Sequence, residues 1–155
     1  YDIANIQGEL ATGSMVTFEN GVPSKNFYRK FKVFYGERSR TTKSNDVAMI
    51  REVLQRRIAH TEWPYPDVIV VDGGKAQRNA ALSVLRVYKL DIPVIGQAKG
   101  LNEIHSAAGT TALADLPDAA RNLLLRLRDE AHRFARRYFH WRQRKELELT
   151  SKPSS

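Results

Sequence analysis

The sequence predicts an α/β domain built on a mixed sheet, with the element order βββαβαβα and helices on both faces of the sheet. Alternating apolar and polar residues around an Asn20-Gly21 hairpin signal predict an antiparallel meander at the start. Two apolar runs, over 68–71 and 92–98, flank a helical pattern of a length that joins parallel strands. A long stretch with apolar residues at helical spacing then predicts a final helix.

The opening strands are predicted over 1–7, 14–18 and 27–34, with a turn over 8–13. After a basic polar loop, Ser44 and Asn45 are both suitable N-caps for the first helix. The apolar stripe of that helix is formed by Val47, Ile50, Leu54 and Ile58. A rigid connector over 63–66 leads into the central strand.

The central strand, Val68 to Val71, consists of four β-branched apolar residues, which predicts burial on both faces. A second helix follows Gly73-Gly74, and 101–116 is predicted to be a small hairpin or a loose flap. Pro117 suits the first position of the last helix. The stripe of that helix runs through Ala120, Leu124, Leu127, Ala131, Phe134, Tyr138 and Trp141. We expect one domain over 1–149 and a disordered tail or linker stub over 150–155.

Composition narrows the class of protein. A chain of 155 residues with 42% hydrophobic residues is long enough to bury a core. It contains no cysteine, which excludes disulfides and thiolate metal sites. No apolar run approaches the roughly 20 residues of a membrane span, so we expect a cytoplasmic protein. Because the chain opens directly on strand-like residues, we also expect it to be a piece of something longer.

Charge points to a polyanionic partner. The formal net charge is +8, and 121–145 holds nine basic against two acidic residues, while 25–57 holds ten against three. A basic surface of this size favours nucleic acid. A solvated basic face without a partner is the alternative.

The candidate site is predicted around Asp72. This residue ends the central strand and is followed by two glycines and Lys75. Ligands of open α/β sheets bind outside the carboxyl ends of the strands. If the first strand is a neighbour, Asp2 and Asp72 share one crevice, where a divalent cation relieves their repulsion. His132, on the flank of the last apolar stripe, could complete the site as a ligand or as an acid or base.

The same residues are also compatible with purely structural roles. Asp72 fits an acidic cap, Asp2 a frayed end, and His132 a packing residue. The other histidines have weaker cases because none sits beside a predicted strand end. Lys75 and Lys99, which follow strand ends, and Arg133, next to His132, are the predicted contacts to phosphates.

Six stretches resemble the C-terminal endonuclease domain of UvrC, the incision nuclease of bacterial nucleotide excision repair. They are Asp2-Ile3 with Gln7-Gly8, Tyr28-Arg29-Lys30-Phe31, Met49 to Leu54, Val71 to Gln77, Ile95 to Gly100, and Arg128 to Ala135. They follow the family's order and cover nearly the whole chain. The last of them is the most specific.

The resemblance implies a ribonuclease-H-like fold and an Asp-Asp-His triad at Asp2, Asp72 and His132, holding Mg²⁺ or Mn²⁺. It implies hydrolysis of a phosphodiester on the 5′ side of a lesion in double-stranded DNA. In the full-length protein it implies UvrB, the damage-verification subunit, as partner.

The chain departs from the family in one motif, because Ala4-Asn5 stands where the family usually has Ser-His. A nucleic-acid-binding module with a weakened site is therefore a second hypothesis. Another ribonuclease-H-like nuclease, a junction resolvase or an RNase, is a third.

Overall fold

The computed structural model describes residues 2–6, 10–33, 45–98, 100 and 102–150. Its first sheet is antiparallel and takes its strands from the first quarter of the chain. The strands of this region are β1 (Asp2–Ile6), β2 (Leu10–Met15), β3 (Phe18–Glu19), β4 (Val22–Pro23) and β5 (Arg29–Val33). The sheet has the order β1-β2-β5, while β3 and β4 pair only with each other.

Two details of the predicted meander are wrong. Strand β2 begins at Leu10, so part of the predicted turn over 8–13 is strand, and Gly13 is buried opposite Phe31. A glycine leaves room beside that large ring, which is a packing reason that a turn signal conceals. The turn at Asn20 (φ 52°) and Gly21 (φ +79°) closes the small β3–β4 hairpin instead of joining two long strands.

The second sheet is mixed. It contains β6 (Ile69–Asp72), β7 (Val94–Ala98), β8 (Glu103–Ser106) and β9 (Gly109–Ala112), in that order. Strands β6 and β7 are parallel, and the other two pairs are antiparallel. The predicted hairpin over 101–116 thus extends the sheet. Val68 was predicted to be buried, but it precedes β6 and is 47% exposed.

Three helices, α1 (Asn45–Ala59), α2 (Lys75–Val87) and α3 (Asp118–Thr150), complete the fold. Helices α1 and α2 pack with Ile69 and Val71 in the main core. Val70 and Ile95 pack on the opposite side, against Ile104, Leu113 and Leu124, the last of which is on α3. Strands β6 and β7 are therefore covered on both faces, which explains their nearly continuous apolar sequence. Within the described part of the chain, no helix is long and apolar enough to cross a membrane.

Helix α1 holds the two sheets together. Its residues Ile50, Leu54 and Ile58 belong to the core under β6. Met49 and Val53 form a second core with Met15 and Phe31 of the first sheet. As a result β1 approaches β6, with Cα atoms within 8 Å, and α3 crosses β1 and β2. Strand β1 and helix α3 therefore both lie near β6, and α3 reaches its carboxyl end.

Candidate active site

Asp72 is held at the end of β6 by a tight glycine turn. It lies opposite Gln97 of β7, and the Gly73 amide donates a 2.9 Å hydrogen bond to the Gln97 carbonyl. Gly73 has φ +149°, and a Cβ there would lie 2.5 Å from Cγ of Gln77. Only glycine accommodates both constraints. The chain therefore turns away directly after Asp72 and leaves the strand end open.

Helix α2 starts from this turn. The side chain of Gln77 accepts a 3.0 Å hydrogen bond from the amide of Gly74, which satisfies one N–H at the start of the helix. On the neighbouring strand, a Cβ at Gly96 would lie 2.9 Å from O of Gly73 and 3.0 Å from O of Gly74. The position of the Asp72 turn thus depends on a glycine in β7.

His105 of β8 lies closer to this turn than the sequence indicated. Its Nε2 would be 3.8 Å from a Cβ at Gly74, and its side chain is buried. Its ring is engaged elsewhere, with Nδ1 3.0 Å from Oγ1 of Thr110 and Nε2 3.7 Å from a Glu103 carboxylate oxygen. His105 therefore supports the turn from the α2 side.

His132 of α3 meets Asp72 at the open side of the strand end. The distance between His132 Nε2 and Asp72 Oδ2 is 3.6 Å. The separation is longer than a good hydrogen bond but within the range of an ion pair. Both side chains are partly exposed, at 24% and 21%. A carboxylate and an imidazole therefore face each other at the end of β6, although Nε2 of His132 is itself shielded from solvent.

Both side chains line a cleft with a volume of about 670 Å³. Asp72, Gln97, Arg128 and His132 contribute to its wall. The opposite side is formed by β2, the β3–β4 hairpin and the connector over 63–68.

Besides Asp72 and His132, the cleft is lined by apolar and aromatic side chains, three arginines and two further carboxylates, Glu19 and Asp67. Arg29 and Arg57 lie over the ring of Trp63, at 4.4 Å and 5.4 Å from its centroid. Arg57 is 4% exposed, and it donates a hydrogen bond to the carbonyl of Pro64 that holds the connector in place. Tyr65 is 40% exposed beside it. Such a lining suits the phosphates and bases of a nucleic acid.

The other predicted site residues have different surroundings. For Asp2 the structure gives the backbone position, opposite Ser14 of β2, in the strand that approaches β6. Lys75 is exposed at the start of α2 and does not line the cleft. Lys99 lies outside the described residues. Among the residues whose side chains are described, no three potential ligands cluster as a metal site.

Arg133 points away from the cleft and belongs to a network that fastens α3 to the first sheet. Its guanidinium binds Glu130, with Nε 2.8 Å from Oε2. The hydroxyl of Tyr28 donates to Oε1 of Glu130 at 3.0 Å. Burial, followed by this hydrogen bond, raises the pKa of Tyr28 to about 12. Arg133 chiefly lowers the pKa of Glu130. The network sets the rotation of α3 and thereby the direction of His132.

Sequence reasoning missed three residues of the cleft. Gln97 is 4% exposed, and its amide nitrogen has no hydrogen-bond partner among the described residues. Arg128 lines the cleft one helical turn before His132, and Arg57 lines it from α1. The i, i+4 spacing of Arg128 and His132 was a usable signal. Arg57 gave none, because its role depends on the path of the connector.

The chain matches the family described as the UvrC RNAse H endonuclease domain over residues 1–135. It is 46% identical over 149 residues to the UvrABC system protein C of Synechococcus sp. (strain JA-2-3B'a(2-13)), covering 94% of the chain and 23% of the relative. It is 40% identical to the proteins of that name from Treponema pallidum, over 154 residues, and Methanothermobacter thermautotrophicus, over 137. Those matches cover 97% and 88% of this chain and 22% of each relative.

Proposed function

This chain belongs to the UvrC RNase H endonuclease domain family, as its motifs predicted, and we propose that it hydrolyses a phosphodiester of damaged DNA at Asp2, Asp72 and His132. The chain spans about a quarter of the length of the curated relatives. The proposal therefore concerns the chemistry of this domain, with residues 1–149 as its extent.

The observation that carries the proposal is the 3.6 Å approach of His132 Nε2 to Asp72 Oδ2 at an open strand end. The two residues come from elements far apart in the chain, and a glycine turn and the Tyr28–Glu130 bond position them. A structural pair would be expected deeper in the core. Here both side chains border a cleft whose lining also includes Arg29 and Arg128.

The donor chemistry also suits a divalent cation. Carboxylate oxygens are the ligands that Mg²⁺ prefers, and Mn²⁺ accepts an imidazole nitrogen as well. Nε2 of His132 is buried beside Asp72. Asp72 and His132 would hold Mg²⁺ or Mn²⁺ together with Asp2. When bound, the ion would supply positive charge to a phosphate oxygen and acidify a water molecule.

The protein residues supply the remaining steps. Arg128 and Arg29 would hold phosphates along the cleft, because both line it and carry permanent charge. Water adds to phosphorus and the bond from phosphorus to the leaving sugar oxygen breaks, so one proton is lost by water and one is gained by that oxygen. His132 would serve either as a ligand of the ion or as the group that exchanges such a proton, because a ring nitrogen bound to the ion cannot carry that proton.

The proposed role of Asp2 rests on the backbone pairing of the first sheet. Asp2 lies opposite Ser14, which lies opposite Lys30, so the three positions form one row across the first sheet. The Lys30 ammonium is 5.3 Å from the ring centroid of Phe134, so the Lys30 side chain faces α3. We propose that β1 and β6 act as neighbouring strands of one ribonuclease-H-like sheet, which would bring Asp2 to Asp72.

In a longer protein, this domain would cut on the 5′ side of a lesion in double-stranded DNA, with UvrB as partner and in the cytoplasm. Lys75, which lies outside the cleft, and Lys99 stay proposed contacts to the DNA backbone. These assignments derive from the family and from the basic charge of the chain.

The test is a nicking assay on damaged and undamaged duplex with Mg²⁺, Mn²⁺ or EDTA, using Asp72→Asn and, as matched control, the exposed Asp91→Asn. Asp72→Asn keeps the shape but removes a charged ligand, so nicking should fall by at least about 100-fold. DNA affinity should stay within about twofold. Mn²⁺ binding, measured by calorimetry, should be weakened by Asp72→Asn and unchanged by Asp91→Asn.

A wild-type nicking rate in Asp72→Asn would place the site elsewhere. Metal binding without nicking in the unmodified chain would favour the weakened binding module, consistent with Ala4-Asn5. Faster cleavage of RNA or of branched DNA than of damaged duplex would favour another ribonuclease-H-like nuclease.

A further inference from the structure

A second groove lies on the other side of Arg29, between the segment that leads into β5 and the middle of α3. Its volume is about 370 Å³. Five of its seven lining residues are basic, and the other two are aromatic: Lys25, Arg29, Lys30, Arg133, Arg137, Tyr28 and Phe134. Arg133 and Arg137 are four residues apart on α3, so they share one face of the helix.

Much of the positive charge in this groove is not neutralised within the described chain. Glu130 is the acidic residue beside it, and that carboxylate is occupied by Tyr28 and Arg133. Lys25 and Arg137 form no side-chain hydrogen bond or ion pair with any described residue. Their charges stand on opposite walls of the groove, one on the loop and one on the helix.

The aromatic floor indicates which part of a nucleic acid fits. Tyr28 packs edge-on against Phe134, with ring centroids 5.1 Å apart at 67°. The ammonium of Lys30 lies over the Phe134 ring at 5.3 Å. Because the Phe134 ring already contacts both Tyr28 and Lys30, it offers little area to a stacked base. Cationic walls over such a floor suit a chain of phosphates.

The groove adjoins the cleft that contains Asp72 and His132. Arg29 lines both, and two 2.7 Å hydrogen bonds to the carbonyls of Asn26 and Tyr28 hold its guanidinium at the junction. A strand that leaves the Asp72–His132 end of the cleft past Arg29 would therefore enter the groove.

We propose that the groove lined by Lys25, Arg29, Lys30, Arg133 and Arg137 binds the phosphodiester backbone of the DNA beyond the scissile bond. This inference rests on the proposed function, because it extends the same substrate. The groove contributes affinity and position, and the chemistry stays at Asp72 and His132.

The test compares Lys25→Gln/Arg137→Gln with the matched control Arg86→Gln/Lys89→Asn, which removes two exposed basic residues at the end of α2. Asparagine suits position 89, where φ is 54°. The measurement is fluorescence anisotropy with a short duplex between 50 and 200 mM salt. Each lost phosphate contact lowers the slope of log affinity against log salt by about 0.9.

For the groove variant, the slope of log affinity against log salt should be about 1.8 smaller in magnitude than for the wild type. Between 50 and 200 mM salt, the fold loss of affinity should therefore be about twelvefold smaller for the groove variant than for the wild type. The control should match the wild type. Equal slopes for the groove variant and the control would overturn the proposal. So would loss of slope in both variants, because binding would then follow total charge.

The readout separates this proposal from the proposed function. If the unmodified chain fails to nick DNA, the anisotropy result still decides whether the groove binds the backbone. If the groove variant nicks at the wild-type rate under saturating DNA, the groove is a binding element, as proposed. A lower rate at saturation would instead assign the two residues to the chemistry and refute this division of roles.

Discussion

Gly96→Ala is the sharpest test of how the Asp72 turn is held. The new Cβ would lie 2.9 Å from O of Gly73 and 3.0 Å from O of Gly74, whereas ordinary contacts start at 3.4 Å. Both oxygens belong to the backbone and cannot rotate away. The turn or β7 must therefore move by about 0.5 Å, against the 2.9 Å hydrogen bond that joins Gly73 to Gln97.

Overpacking of this kind costs about 1–3 kcal/mol. Replacing glycine by alanine also adds about 0.4–1 kcal/mol to the free energy of unfolding, because alanine lowers the conformational entropy of the unfolded chain. We expect a net loss of about 1–2 kcal/mol in the free energy of unfolding. With a slope of about 2 kcal/mol per molar urea, the midpoint should fall by about 0.5–1 M. If Asp72 has its proposed catalytic role, a shift of this size should also slow nicking about tenfold, since a 1 Å misplacement costs about 100-fold.

Gly100→Ala is the control, because an added Cβ there meets no atom within 4 Å. It carries the same change in the unfolded chain without the collision. Urea unfolding by circular dichroism and nicking are measured for both variants. A midpoint for Gly96→Ala at or above that of Gly100→Ala would refute the close-approach argument.

Two further predictions concern α3. His132→Ala should lower single-turnover nicking by orders of magnitude and leave the melting temperature nearly unchanged, whereas a packing role would give lower stability with normal cleavage. Tyr28→Phe should cost roughly 1–2 kcal/mol at neutral pH, because the hydrogen bond to the Glu130 carboxylate is lost. In the folded protein Tyr28 keeps its proton up to its pKa of about 12, whereas in the unfolded chain it loses the proton near pH 10. Between pH 10 and 12, the free energy of unfolding of the wild type should therefore fall more steeply than that of Tyr28→Phe. Parallel pH profiles of unfolding would contradict this assignment.

The central strand, the turn after it and the last helix were predictable because local sequence determines them. A β-branched run followed by two glycines favours a buried strand with an abrupt end. The Asn20-Gly21 signal was equally local, and it did predict a tight turn. It could not show which strands the turn connects, because strand pairing depends on residues far away in the sequence.

The contents of the site were less predictable for the same reason. Gly96 and Gln97 act through the register of β7 against β6, which no local pattern specifies. Arg133 directly follows His132, but successive residues of a helix are rotated by about 100°. The Arg133 side chain therefore points away from the cleft, where its guanidinium binds Glu130. Neighbours in sequence thus serve different surfaces of the molecule.

The late position of α3 in the chain has a consequence for biosynthesis. Tyr28 and Glu130 are 102 positions apart, and His132 follows Glu130 by two residues. The ribosome therefore completes both sheets before it synthesises the helix that carries His132. Contacts of such long range form late in folding as well. A nascent or truncated polypeptide that ends before α3 has the strand and the glycine turn of Asp72 but no imidazole beside them, so the Asp72–His132 pair exists only after the last helix has docked.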